Sequence, residues 1–157
     1  MLKLKRKNFG FSLIEIIAVI AIGGILISVV MFSFSSFRNS KIIDISADQV
    51  LSIINEARVK AVSSEDYSRF GVHFETGKAV FFKGDSYVNQ NSGNVETELS
   101  PLAEISDISL NGGGSDIVFQ KLTGKTGNYG SLRIRLKSDN SQYKNISVKS
   151  TGVANIQ

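Results

Sequence analysis

"KRKNFGFSLIEIIAVIAIGGILISVVMF", residues 5–32, decides the architecture of this chain. A short basic tract ends at Gly10, and a long apolar run begins at once. From Ile16 to Phe37 no side chain is ionisable, and Ile, Val, Leu and Phe predominate. A helix of about 20 such residues crosses the roughly 30 Å hydrocarbon core of a bilayer. The run therefore predicts one membrane-spanning helix. Lys3, Lys5, Arg6 and Lys7 stand on its N-terminal side, so the positive-inside rule puts the N-terminus in the cytoplasm and the chain after Arg38 outside. A secretory signal peptide would need a small-residue cleavage site after the apolar stretch. The sequence there, "SFSSFRNSKIID", is interrupted by large aromatics, so the run is expected to stay in the mature protein.

The remaining composition fits one folded domain attached to that segment. The chain has 157 residues, of which 42% are hydrophobic and 20% charged, enough for a single core. It has no cysteine, which excludes disulfides and thiolate metal sites. The pI near 9.4 hints at nucleic acid, but the charge is misplaced for that. Removing Lys3, Lys5, Arg6 and Lys7 from the 18 basic residues leaves 14, against 14 acidic residues that all follow residue 10. Without its first ten residues the chain is formally neutral.

Glu15 is the anomaly within the apolar region. A carboxylate inside a span costs about 2.5–3.5 kcal/mol, less near the interface, so something should offset it. If the chain is cut between Gly10 and Phe11, the new α-amino group of Phe11 lies one helical turn from Glu15, at the i, i+4 spacing. The same amine on a neighbouring chain could pair with it instead.

"KRKNFG" followed by "FSLIEIIAVIAIGGIL" resembles the N-terminus of type IV prepilins and type II secretion pseudopilins. Those families have a basic leader ending in glycine, then phenylalanine, a small polar residue, two aliphatics and a glutamate. The resemblance implies that residues 1–10 are a leader, that a prepilin peptidase cuts after Gly10, and that Phe11 becomes an N-methylated N-terminus. It also implies that Glu15 governs entry of the subunit into a filament. Many major pilins carry a proline further along this helix, whereas the single proline here is Pro101. Gly23 and Gly24 are either a weak point, at about 0.5–1 kcal/mol each relative to alanine, or a close-packing patch between helices.

After Arg38 the apolar residues Ile43, Ala47, Val50, Ile54, Ala57 and Ala61 step by four and three, which defines a helical stripe. Asp44, Asp48, Gln49, Asn55, Glu56, Arg58 and Lys60 suit its wet face. The helix is thus expected to run from Phe11 to near Ser63, with residues 11–37 spanning the membrane and 38–63 amphipathic. Residues 64–157 read as a β-rich outer domain. Phe70, Val72 and Phe74 alternate with Gly71, His73 and Glu75, Thr76-Gly77 makes a turn, and "KAVFFK" returns as a strand. Further strands are expected at 105–110, 117–121, 132–136, 146–148 and 153–156, whereas "SYVNQNSGNVETELSP" reads as a loop or exposed hairpin. The fold class is α+β: one long N-terminal helix whose second half packs on an antiparallel sheet. "DIVFQKLTGKTG", "GSLRIRL" and "YKNISVKSTGVANI" further resemble the FimT/GspH-like minor pilins and pseudopilins, which sit at or near a filament tip or prime its assembly.

Other motifs fail on spacing. Gly124-Lys125-Thr126 lacks the glycine that a phosphate loop needs, the position holding Phe119, and no helix follows. Asn111 to Gly114 is a loop. His73 is the sole histidine, expected at a solvated strand position, so neither a multi-histidine metal site nor a nucleophile relay has support. Asp139 and Asn140 fit a turn better than a calcium loop, and Asn145-Ile146-Ser147 falls in a predicted strand, a poor glycosylation acceptor. Some FimT-like subunits are thought to hold DNA through a basic tail. Here the tail "TGVANIQ" has no Lys or Arg, but Arg133, Arg135 and Lys137 share a strand face and could form a modest patch, joined by Lys144 and Lys149.

The sequence thus predicts a prepilin-like structural subunit, with no catalytic residues, no metal and no cofactor. Its expected partners are prepilin peptidase, other pilin or pseudopilin subunits, the inner-membrane assembly platform and, before assembly, membrane lipid. Nucleic acid is a further partner that the neutral mature charge does not support. It is expected in the cytoplasmic membrane as a single-pass protein, then in a pilus or pseudopilus. The alternatives are a major pilin and a membrane-anchored binding domain unrelated to filaments. An intrinsic enzyme lacks paired acids or a nucleophile relay.

Overall fold

The computed structural model describes residues 11–157, with the side chains of Phe32 and Ser33 left aside. A single helix, α1 (Leu13–Val62), is followed by a short 3-10 turn (Glu65–Tyr67) and eight strands. The strands are β1 (Phe70–Glu75), β2 (Lys78–Lys83), β3 (Val95–Glu98), β4 (Ala103–Leu110), β5 (Asp116–Phe119), β6 (Gly130–Leu136), β7 (Tyr143–Val148) and β8 (Ala154–Ile156). They form two four-stranded antiparallel sheets, ordered β3-β2-β1-β5 and β4-β6-β7-β8, where the sequence had indicated one. The chain divides into two compact units, residues 1–38 and 39–157.

In the second unit the predicted helical stripe is buried: Ile43, Ala47, Val50, Ile54, Ala57 and Ala61 are all inaccessible or nearly so. Those from Ala47 onward, with Ile53, join one core with Phe70, Val72, Phe74, Ala79, Phe81, Ile117 and Phe119 of the first sheet. Ile105, Leu132, Ile134, Ile146 and Val148 bring the second sheet into the same core. Period-3.6 burial on the helix meets period-2 burial on the strands, which is how both sheets close over one amphipathic segment. The wet face is less free than its pattern suggested. Asp44 accepts a hydrogen bond from Lys144 Nζ on β7 at 2.7 Å, which holds its carboxyl below the ordinary carboxylate range, and Lys41 at 3.8 Å adds to this. Arg58 is half-buried.

Two segments refine the sequence reading. "KAVFFK" is buried on both faces, because Val80 and Phe82, opposite to the core side, are also inaccessible. Phe82 pairs across the sheet with Gly71, where a side chain would collide with the Phe82 ring and the Ile117 carbonyl. The segment expected as a loop or an exposed hairpin takes the second form at "VETE", the edge strand β3, paired to β2 from Lys78↔Glu98 to Phe81↔Val95. Its side chains are mostly exposed, so it has no apolar face to reveal it.

The turn of the second sheet places one glycine under a hard constraint. Gly152 has φ 82°, and a Cβ there would collide with the Gly124 carbonyl oxygen and come 3.0 Å from Arg58 Nε. Gly152→Ala is expected to cost about 2–4 kcal/mol of folding free energy, from left-handed strain plus the clash. Gly77→Ala, where nothing lies within 4 Å, should stay within about 1 kcal/mol. Denaturant unfolding of the two variants beside wild type checks this, and equal midpoints would refute it.

Candidate assembly site

Among the described residues of the first unit the apolar side chains are exposed in the single chain. Phe11, Leu13, Ile14, Val19, Ile20, Ile25 and Leu26 are among many exposed apolar side chains, with Phe11 80% accessible. The helix begins where the Ser12 carbonyl accepts hydrogen bonds from the Glu15 and Ile16 amides, at 3.0 and 3.2 Å. Glu15 thereby lies in the first turn, where unpaired amides and the helix dipole favour a carboxylate. Phe11 and Glu15 line one shallow apolar depression with Ile16, Val19 and Ile20, as the i, i+4 spacing requires. No ion pair of Glu15 exists among the described residues. By length and composition the helix can cross a membrane. Gly10, Lys3, Lys5, Arg6 and Lys7 lie outside the described residues. Gly23 and Gly24 have open space where a Cβ would stand, which fits either of their two readings.

The candidate nucleic-acid residues are not a free basic patch. Arg133 and Arg135 do share a face of β6, but Arg133 bonds the Asp107 carboxylate at 2.7 Å, donates from Nε to Asn145 Oδ1 and stacks 4.2 Å from the Tyr143 ring. Arg135 bonds Glu104 at 2.7 Å, and Lys137 lies exposed just beyond the strand. Each guanidinium is therefore already neutralised. Lys144 is likewise bound to Asp44.

His73 is less solvated than expected. The Asp116 carboxylate accepts a hydrogen bond from its Nδ1, Glu75 lies 3.9 Å from Nε2, and the Tyr87 ring stacks in parallel at 4.0 Å. Tyr87 comes from the polar segment after β2 and also meets Phe82 at 5.9 Å, which explains the burial of that outer face. Asp139 closes a turn: it accepts bonds from Ser141 N, Ser141 Oγ and Gln142 Nε2, and those bonds lower its pKa from the ordinary value. At Gly124-Lys125-Thr126 the backbone turns back on itself, with Gln120 N bonded to the Lys125 carbonyl at 2.8 Å.

Residues 5–31 match the family described as the prokaryotic N-terminal methylation motif. No curated protein matches the sequence. Among solved structures, the minor pseudopilin EpsH from the type II secretion system of Vibrio cholerae is similar at 16% identity and TM-score 0.54, covering 73% of this chain and 95% of that one. A second EpsH structure gives 15% identity and TM-score 0.56, covering 74% and 94%. The type IV minor pilin FimU of Pseudomonas aeruginosa gives 12% and 0.55, covering 73% and 91%. At such identities the likeness is one of fold: a long N-terminal helix packed on antiparallel sheets.

Proposed function

We propose that this chain, a type IV pilin or pseudopilin-type protein by its motif and its fold, serves as a minor subunit of a type IV pilus or type II secretion pseudopilus. The observation that carries the proposal is the methylation motif at residues 5–31, continuous with a helix whose apolar side chains stand uncovered. An exposed apolar surface of that extent demands a cover. Lipid supplies it first, with the N-terminus cytoplasmic and the outer domain beyond the membrane; neighbouring subunit helices supply it after assembly. Prepilin peptidase removes residues 1–10 between Gly10 and Phe11 and methylates Phe11. The basic Lys3, Lys5, Arg6 and Lys7 hold the leader on the cytoplasmic side until then. Glu15 then meets a Phe11 amine, its own or a neighbour's, and the pairing offsets the cost of each charge in an apolar bundle. The inner-membrane platform extracts the subunit into the growing filament. The chain's role is structural, and it is a substrate of the peptidase.

The minor role has its own test. Gold-labelled antibody against the outer domain should decorate sheared filaments sparsely and near one end. Dense labelling along the shaft would make the chain a major subunit, and absence from the filament fraction would remove the filament role.

A further inference from the structure

Charges that cancel in sum do not cancel in space. The carboxylates of the outer domain are largely consumed by ion pairs, among them Asp66 with Lys83, Glu96 with Lys78, Glu104 with Arg135 and Asp107 with Arg133. Arg58, Lys121, Lys125 and Lys149 have no carboxylate partner among the described residues. The fold gathers those four at one end. Leu122 N donates to the Ala61 carbonyl in the last turn of α1, and Thr126 N donates to the Ser150 carbonyl, each at 3.0 Å. Side chains built at Gly124 and Gly152 would meet Arg58 Nε at 3.3 and 3.0 Å, so both loops close directly on it. Arg58 Nε is shut off from water with no hydrogen-bond partner. The negative C-terminal end of a helix accounts for one such cation, and Lys121 donates to the Tyr67 carbonyl. Neither explains Lys125 and Lys149.

The backbone at this end is also strained. Ser64, Asp66, Tyr67 and Leu122 hold φ of 52°, 50°, 52° and 64°, a conformation that costs about 1–2 kcal/mol for a residue other than glycine. What the strain displays is apolar. Tyr67 is 89% exposed and Leu122 74% exposed, beside exposed Val59 and Val62.

We infer that this end of the outer domain, centred on Leu122 and rimmed by Arg58, Lys125 and Lys149, docks a different subunit of the same filament, one that presents apolar side chains within an acidic surface. The inference rests on the filament reading above. An apolar centre with a charged rim is the anatomy of a protein interface, and leucine and valine offer nothing to a phosphate backbone. A second copy fits poorly, because its own acids are mostly paired and the exposed unpaired Asp48 and Glu98 stand on different elements, α1 and β3.

The test places a benzophenone photocrosslinker in the full-length chain, in cells that assemble the filament, at Leu122, at Ile20 in the apolar helix, or at Ser131 on the exposed face of β6. Position 122 should crosslink to another filament subunit within an Asp- and Glu-rich segment, and position 131 should not. The exposed pair Lys125→Glu with Lys149→Glu should reduce that adduct about tenfold or more without altering adducts at position 20. Subunit adducts at position 20 with none at 122, or with nucleic acid or a second copy at 122, would overturn the inference alone. No subunit adduct at position 20 would overturn the filament reading, and the inference with it.

Discussion

Glu15→Ala is expected to leave leader removal and membrane insertion intact while lowering incorporation into filaments at least tenfold. The insertion arm follows from cost: deleting a carboxylate from an apolar span relieves roughly 2.5–3.5 kcal/mol or less, so the variant should enter the membrane at least as readily as wild type. Assembly reverses the sign. In a packed bundle the Phe11 amine needs a counter-charge, and removing one partner of a buried pair costs about 3–5 kcal/mol, more than enough for a tenfold effect. Glu15→Gln keeps the shape and the hydrogen-bonding ends, so it separates charge from size and should behave like alanine. The ratio of subunit in sheared filaments to subunit in the membrane reads the effect. Normal incorporation of Glu15→Ala would contradict the pairing account.

The helix and its burial were readable because burial on a helix repeats at three and four residues, and the stripe from Ile43 to Ala61 obeys that step at every position. β1 and most later strands were readable by period two. β3 was readable only as one of two alternatives, a loop or an exposed hairpin, since "VETE" at a sheet edge buries no alternating apolar face. The covering of His73 by Tyr87, and of Phe82 by the same segment, depends on a contact across the sheet that no local pattern encodes. At the N-terminus the spacing of Phe11 and Glu15 was enough to place the two side chains in one depression, because i and i+4 meet on a helix.

The outer domain's electrostatics were the least legible. Summation gives a neutral domain, and alternation singles out Arg133, Arg135 and Lys137 as a patch. The first two are bound to acids by cross-strand register, Glu104 opposite Arg135 and the bulge at Asp107 beside Arg133. Of the cations left over, Arg58, Lys121, Lys125 and Lys149 are spread over 92 positions of sequence and meet through loop closure alone. Nor could the left-handed backbone at Tyr67 and Leu122 be foreseen, because neither residue type favours it.

Processing at Gly10 is the premise on which the Glu15 account stands, and it carries the other large effect. Glycine has no Cβ, so a β-branched residue in its place both fills the space before the cut and restricts the backbone there. Gly10→Val should abolish cleavage. The uncut chain keeps Lys3, Lys5, Arg6 and Lys7 in the cytoplasm and no free amine at Phe11, so it should stay in the membrane and out of filaments. The decisive measurement is intact mass of the full-length protein, expressed with and without a prepilin peptidase proven active on a control substrate, for wild type and Gly10→Val. Peptidase-dependent loss of residues 1–10 with one added methyl group on wild type, and no loss on the variant, is the predicted result. A wild-type chain that keeps its leader beside a processed control would contradict the account and leave a membrane-anchored binding domain in its place.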